Sequence, residues 1–142
     1  MKCIKIAGLF CAVTLASGCA TGLNSMQERE YRAMQSENVL VEEKSPTAGA
    51  VLGILPGGGS FYAREPALGI VNLLFWPLSI LWDPISGRDG AMAINYDLSK
   101  QKLKRDLASE MSELDNQLTL GQVTNVEYVA EKRKVEKKYD FQ

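Results

Sequence analysis

Cys19 is the residue of this chain with the clearest chemistry, because its thiol follows the small residues Ser17 and Gly18. Those residues end an N-terminal segment in which Lys2 and Lys5 precede an apolar run over residues 6–16. This order is typical of a secretory signal, in which small residues allow a peptidase to bind the backbone. The apolar run is too short to span a bilayer, which needs about 20 apolar residues. We therefore expect cleavage close to Cys19.

The stretch Leu15-Ala16-Ser17-Gly18-Cys19 resembles the lipobox of bacterial lipoproteins, although Ala16 stands where that family most often has leucine. In the family the thiol is diacylated, the chain is cut before the cysteine, and the new amine is acylated. The resemblance implies that residues 1–18 are a signal peptide and that Cys19 is the lipidated first residue of the mature protein. Ala20 stands where aspartate retains enterobacterial lipoproteins in the inner membrane, which implies the outer membrane. The alternative is an ordinary signal peptide in which Cys19 is incidental.

The rest of the sequence predicts neither catalysis nor a bound cofactor. The chain has no histidine, which is the commonest general base and metal ligand. Cys3 and Cys11 leave with the signal, so neither a disulfide nor a thiolate metal site is expected. The glycine-rich stretch 56–60 lacks the lysine of a phosphate-binding loop and is typical of a tight turn. Carboxylates such as Asp106 and Glu110 lie among lysines at helical spacing, which is typical of a solvated face. We expect no enzymatic activity, no cofactor and no metal.

Charge is distributed very unevenly along the chain. The net charge of the whole chain is −1 at pH 7, so composition does not predict a nucleic-acid partner. Only three charged residues lie between positions 45 and 85, whereas nine basic and nine acidic residues lie between positions 97 and 142. The length allows one domain or two small modules. We predict a mostly α fold in three parts, which are a lipid-anchored tether over 19–45, a short apolar helical hairpin over 46–96 and a charged helix-turn-helix over 97–142.

The tether begins with the small and polar residues 20–25, which suit a flexible link to a lipid. Residues 26–40 have mild helical character, with Tyr31 and Met34 three positions apart. We predict a mobile linker that contains one helix.

The apolar middle is predicted to form two helices over 47–85 that turn at Pro56–Ser60. Its second arm, over 67–82, carries no charge and should bend near Pro77, because proline lacks an amide hydrogen. Sixteen helical residues reach about 24 Å, which is less than the roughly 30 Å hydrocarbon core of a bilayer. The order Leu-Pro-Gly-Gly-Gly-x-Phe-Tyr, apolar run, Trp-Pro-Leu-Ser and Trp-Asp-Pro resembles small bacterial membrane proteins with a two-helix apolar hairpin. That resemblance implies a fold more than a function.

Two environments suit this middle segment equally well. In a hairpin that dips into one leaflet, Tyr62, Trp76 and Trp82 would be interfacial anchors. In a buried pair of soluble helices they would be core aromatics. The spacing of Gly49 and Gly53 would allow close helix contact in both cases.

The stretch Ser86–Gly90 is predicted to form a turn at the end of the apolar middle. A helix is predicted to begin after it, with Asp89 as its N-cap.

The charged tail is predicted to form two antiparallel helices that meet around Gly121. Thr124 and Glu127 match a capping box at the start of the second helix. Apolar and aromatic residues at helical spacing should face inward; they are Leu107, Met111, Leu114, Leu118, Tyr128 and Val135. A helix, a Leu-Gly-Gln-Val-Thr turn and a capped helix with tyrosine and lysine resemble the short C-terminal domains called SHOCT. This resemblance implies oligomerisation or partner contact rather than chemistry.

The sequence therefore favours a non-enzymatic lipoprotein of the bacterial envelope, bound to membrane lipid through Cys19 at the periplasmic face of the outer membrane. Its charged tail would mediate self-association or bind a protein partner. The alternative is an accessory subunit of an inner-membrane export or envelope-stress assembly, with the hairpin packed on a partner's helices.

Overall fold

A computed structural model describes residues 22–141 of the chain, and helices dominate this part. No β-strand occurs between residues 22 and 141, so the prediction of a mostly α fold is confirmed. The α-helices are α1 (Ser25–Ser36), α2 (Pro46–Leu52), α3 (Gly58–Tyr62), α4 (Pro66–Leu74), α5 (Asp83–Thr119) and α6 (Asn125–Lys138), and a 3-10 helix covers Leu78–Leu81.

The chain divides into two compact units and passes between them at three points, the last of which lies within α5. Residues 22–24 and 42–95 form the first, which we call the apolar unit. Residues 25–41 and 96–141 form the second, which we call the charged unit.

The short helices of the apolar unit begin where the sequence supplies starting signals. Pro46 and Pro66 lie in the first turns of α2 and α4, where the missing amide hydrogen has no intrahelical partner to lose. The Ser45 hydroxyl accepts a hydrogen bond from the Ala48 amide at 3.2 Å and caps α2. Within the apolar unit, four short helical segments precede α5.

This arrangement differs from the predicted two-armed hairpin. Residues Gly58–Ser60, predicted to form the turn, are instead the first turn of α3. The chain turns just before them, and Gly57 adopts a φ of 69°, a left-handed conformation that glycine tolerates. The second arm is interrupted near Pro77 as predicted, because α4 ends at Leu74 and the 3-10 helix begins after Pro77.

The prediction of a turn at Ser86–Gly90 is wrong, because α5 passes through this stretch without a break. Asp89 accordingly lies inside the helix and is not its N-cap. A Cβ atom on Gly87 would lie 2.3 Å from the carbonyl oxygen of Gly49, and one on Gly49 would lie 2.3 Å from that of Gly87. Glycine at these positions lets two backbones pack directly, so tertiary contact outweighs the local tendency to turn. The close helix contact predicted at Gly49 is confirmed.

In the charged unit, α1 is packed rather than extended as a linker. Tyr31 and Met34 are buried. The Val41 amide donates to Ser99 Oγ at 2.8 Å, which attaches the end of this segment to α5. The structure thus contains the predicted helix, but residues 25–41 belong to a compact unit with residues 96–141.

The C-terminal part of the charged unit follows the prediction closely. Gly121 has a φ of 68° just after α5 ends. Thr124 and Glu127 form a capping box, with Thr124 N–H donating to Glu127 Oε2 at 2.8 Å and Glu127 N–H donating to Thr124 Oγ1 at 3.3 Å. Tyr128 of α6 donates to Asp115 of α5 at 2.7 Å, so the two helices are paired. Leu114 is buried, whereas the other predicted inward residues are half-buried, namely Leu107, Met111, Leu118, Tyr128 and Val135.

Candidate functional site

The largest fully buried side chains of the apolar unit are polar. Ser60, Ser79 and Asp83 are fully buried, and Asn72 is 3% exposed. Polar side chains inside a protein are costly unless they are hydrogen-bonded, so this cluster must be held by specific partners.

Asp83 is the centre of the buried cluster. Its Oδ1 accepts hydrogen bonds from Ser60 N–H at 3.0 Å, from Ser60 Oγ at 2.5 Å and from Asn72 Nδ2 at 2.7 Å. Its Oδ2 accepts from Gly59 N–H at 3.0 Å. These two amides belong to the first turn of α3, whose N-cap residue, Gly57, has no side chain to accept from them. Asp83 therefore caps α3 from a distant position in the sequence.

Asn72 extends the cluster toward the surface of the unit. Its Nδ2 donates to Ser60 Oγ at 2.9 Å as well as to Asp83. Its Oδ1 accepts from Trp82 Nε1 at 2.9 Å. Among residues 22–141, Ser79 Oγ is the buried side-chain polar atom that has no hydrogen-bond partner. The network joins α3, α4 and the start of α5 into one unit, and its donors surround the carboxylate, which suits a structural role.

Much of the exterior of the apolar unit is formed by apolar side chains. Fourteen large apolar side chains between positions 51 and 85 are exposed, with Leu74 at 76% and Leu81 at 75%. Together they expose apolar area on the order of 1,000 Å², and large exposed apolar areas mark surfaces that contact proteins or membranes. We call them the apolar surface, and its residues are Val51, Ile54, Leu55, Phe61, Ile70, Val71, Leu73, Leu74, Phe75, Trp76, Leu78, Leu81, Trp82 and Ile85.

Charged and polar residues of the same unit gather elsewhere, in a group we call the charged end (Glu43, Lys44, Tyr62, Arg64 and Asn95). Arg64 forms an ion pair with Glu43, and Lys44 Nζ lies 4.5 Å from the centre of the Tyr62 ring. Asn95 Oδ1 accepts from the Glu43 amide at 3.0 Å and from the Lys44 amide at 2.9 Å. These contacts hold the segment before α2, the segment after α3 and the middle of α5 together.

The residues predicted to be functional have different positions in the structure. Cys19 and the predicted signal peptide lie outside the described residues. Of the three aromatic residues considered as anchors, Trp76 is half exposed, Trp82 directs its indole nitrogen to the buried cluster, and Tyr62 accepts a hydrogen bond from the Ser45 amide at 2.9 Å.

The buried cluster around Asp83 was not predicted from the sequence. The sequence contained one indication of it. Asn72 is an isolated amide in the otherwise apolar run 67–82, and Asp83 directly follows that run. An amide surrounded by apolar residues predicts a buried hydrogen-bond partner.

The charged unit contains a second polar cluster. Glu30 is 8% exposed, and its Oε2 accepts from Lys100 Nζ and from Tyr96 Oη, both at 2.7 Å. The hydrogen bonds from Lys100 and Tyr96 lower the pKa of Glu30. Burial, followed by the hydrogen bond to Glu30, raises the pKa of Tyr96 to about 12. The cluster attaches α1 to α5.

A surface cluster joins the end of α6 to α5. Glu110 Oε1 accepts hydrogen bonds from Lys138 and from Tyr139 Oη. The hydrogen bond from Lys138, followed by that from Tyr139, lowers the pKa of Glu110. This cluster therefore supports the pairing of the two helices.

Across residues 22–141, none of the helices combines the length and apolar character needed to cross a membrane. The same residues contain no group of three or more histidine, cysteine, aspartate or glutamate side chains arranged to hold a metal ion. Comparison of the chain with protein-family models, curated proteins and solved structures found no match.

Proposed function

We propose that this chain is a non-enzymatic lipoprotein of the bacterial envelope, held at the periplasmic face of the outer membrane by lipid on Cys19 and by its apolar unit. The observation that carries the proposal is the reversed polarity of the apolar unit. Asp83, Ser60 and Asn72 are buried inside it, while side chains such as Leu74 and Leu81 are exposed. Hydrocarbon is the surrounding in which such an exterior is stable.

The apolar surface is large enough to bind a membrane without help. Removing about 1,000 Å² of apolar area from water contributes at most about 25 kcal/mol, at about 25 cal/mol per Å². A micromolar dissociation constant corresponds to about 8 kcal/mol. Contact over the whole surface therefore suffices, because subtracting about 4–15 kcal/mol for immobilising the protein at the membrane leaves about 10 kcal/mol or more.

The N-terminal end of the described chain lies next to the apolar unit, which supports joint attachment by lipid and protein. A Cβ atom on Gly22 would lie 3.3 Å from the Asp89 side chain, so the backbone at Gly22 is in contact with α5. Cys19 lies three positions before Gly22, and three extended residues reach at most about 11 Å. Acyl chains on Cys19 would thus enter the same membrane that the apolar surface contacts.

Lipidation is tested by mass spectrometry of the mature N-terminus. We expect the chain to begin at Cys19 and to carry acyl groups. An unmodified Cys19, or a terminus at another residue, would refute this part of the proposal.

Membrane contact by the apolar unit is tested in a Cys19→Ser background, which removes the acyl chains. We expect this variant to remain in the membrane fraction and to float with protein-free phospholipid vesicles. Leu74→Glu combined with Leu81→Glu should release it, because each places a charge on the apolar surface. Both side chains are at least 75% exposed, so the substitutions should leave the fold intact, as circular dichroism would verify.

Leu120→Glu is the matched control, since Leu120 is 70% exposed but belongs to the charged unit. It should float like its parent. Equal flotation of the Leu74/Leu81 variant and the control would refute membrane contact, as would a fully soluble folded monomer of Cys19→Ser. Retention in native membranes without binding to protein-free vesicles would instead favour an accessory subunit packed on a partner's helices.

The charged unit is proposed to mediate self-association or to bind a protein partner. Val126 and Val129 are both exposed in the first two turns of α6, with Val126 at 81%. Sedimentation of Cys19→Ser in detergent should show a concentration-dependent oligomer, and Val126→Glu should weaken it. A monomer at all concentrations would refute self-association.

A further inference from the structure

The apolar unit has one charged end and one uncharged end. Helix α2 follows Glu43 and Lys44, and α4 follows Arg64 and Glu65. The Glu43–Arg64 ion pair and the Asn95 hydrogen bonds hold the N-terminal ends of these two helices together at the charged end. Leu74, Phe75 and Trp76 follow at the far end of α4, where the chain carries no charge.

Helix geometry limits how deep the uncharged end can lie in a membrane. The nine residues of α4 span about 13 Å at 1.5 Å per residue. Along α5, Asp83 lies about 9 Å from Asp89 and about 18 Å from Asn95. Charge returns to the surface at Arg88 and Asp89, whose side chains approach to 3.8 Å. One leaflet contributes about 15 Å of hydrocarbon.

We infer that the apolar surface occupies a single leaflet as a wedge, and that the protein therefore binds preferentially to convex or loosely packed membranes. The inference rests on the proposed membrane contact and adds the kind of bilayer that the apolar surface recognises. Asp83 is compatible with this depth because its carboxylate is covered by donors of the chain.

The physical reason is the asymmetry of the insertion. A wedge that displaces lipid in one leaflet expands that leaflet and leaves the other unchanged. Strong curvature separates the headgroups of the outer leaflet, so room for the wedge already exists and insertion costs less there. Interfacial protein segments are sensitive to curvature for this reason.

The first experiment compares small sonicated vesicles with large extruded vesicles of the same phosphatidylethanolamine and phosphatidylglycerol composition. The probe is the full mature chain with Cys19→Ser, so that acyl chains do not contribute. We expect at least about threefold more protein bound per accessible lipid on the small vesicles. The Leu120→Glu variant should show the same ratio.

The second experiment measures depth through Trp76, which is half exposed on the apolar surface. Trp82→Phe leaves Trp76 as the single tryptophan, since the chain has two. We expect quenching by spin-labelled lipid confined to the contacted leaflet and none by the same lipid confined to the opposite leaflet.

The outcomes separate the inference from the function on which it rests. Failure to float with either vesicle would refute the proposed membrane contact and the wedge with it. Flotation with equal binding to both vesicle sizes would refute the preference for curvature while leaving membrane contact intact. Quenching from the opposite leaflet would refute the single-leaflet depth.

Discussion

Asp83→Asn is the sharpest test of the polar interior, because it changes the charge of a fully buried side chain without changing its size. The amide keeps one carbonyl oxygen, which could replace Oδ1 as acceptor from Ser60 and Asn72. Its NH2 group would then face the Gly59 N–H, which now donates to Oδ2 at 3.0 Å. Two donors would oppose each other inside the unit.

The expected loss of stability follows from the bonds affected. Leaving a buried donor unsatisfied costs about 1–3 kcal/mol, and hydrogen bonds to a charged acceptor are stronger than those to a neutral one. We therefore expect Asp83→Asn to lower the free energy of unfolding by about 2–4 kcal/mol. Asp83→Ala should cost more, because no acceptor would remain for the first turn of α3.

The measurement is urea unfolding of the Cys19→Ser chain in mild detergent, followed by tryptophan fluorescence. Trp82 is a direct reporter because its indole nitrogen donates to Asn72. Asp89→Asn is the matched control on the same helix, where the side chain is partly exposed and paired at 3.8 Å. That control should change stability by less than about 1 kcal/mol. If the Asp83 and Asp89 variants unfold alike, the buried cluster does not hold the apolar unit together.

Three further predictions concern other contacts. The pKa of Glu30 is lowered in the folded protein, so its contribution to stability is present above the unfolded pKa of 4.5 and is lost as the pH falls through the folded pKa. Glu30→Gln should weaken this acid dependence of stability, measured by pH-jump circular dichroism, and should lower the pKa of Tyr96 from about 12, measured by NMR titration. Gly87→Ala should lower the free energy of unfolding although alanine favours helix by about 1 kcal/mol, because its Cβ would lie 2.3 Å from a backbone oxygen. If Gly87→Ala lowers the melting temperature no more than Ser86→Ala does, this packing is contradicted. Thr124→Ala should cost about 1 kcal/mol of stability in the charged unit, and Thr124→Ser, which keeps the hydroxyl, should restore most of it.

Features of the tail were predictable from the sequence because they depend on residues within one or two helical turns. The capping box at Thr124 and Glu127 involves side chains and amides three positions apart, so the local sequence contains every partner. Gly121 likewise adopts its positive φ at the end of a helix, where glycine has the smallest steric penalty. The uneven distribution of charge also marked the apolar middle correctly as an unusual segment.

The interior of the apolar unit was decided only by tertiary structure. Asp83 meets Gly59 and Ser60 across more than 20 residues, and no local pattern shows that its carboxylate caps a distant helix. The stretch 86–90 contains turn-forming residues, yet it remains helical because Gly87 packs against the backbone at Gly49. Apolar composition alone cannot distinguish a buried helix from one that faces hydrocarbon, since both are apolar. Which side chains point inward depends on where their hydrogen-bond partners lie, and folding brings those partners together from separate parts of the chain.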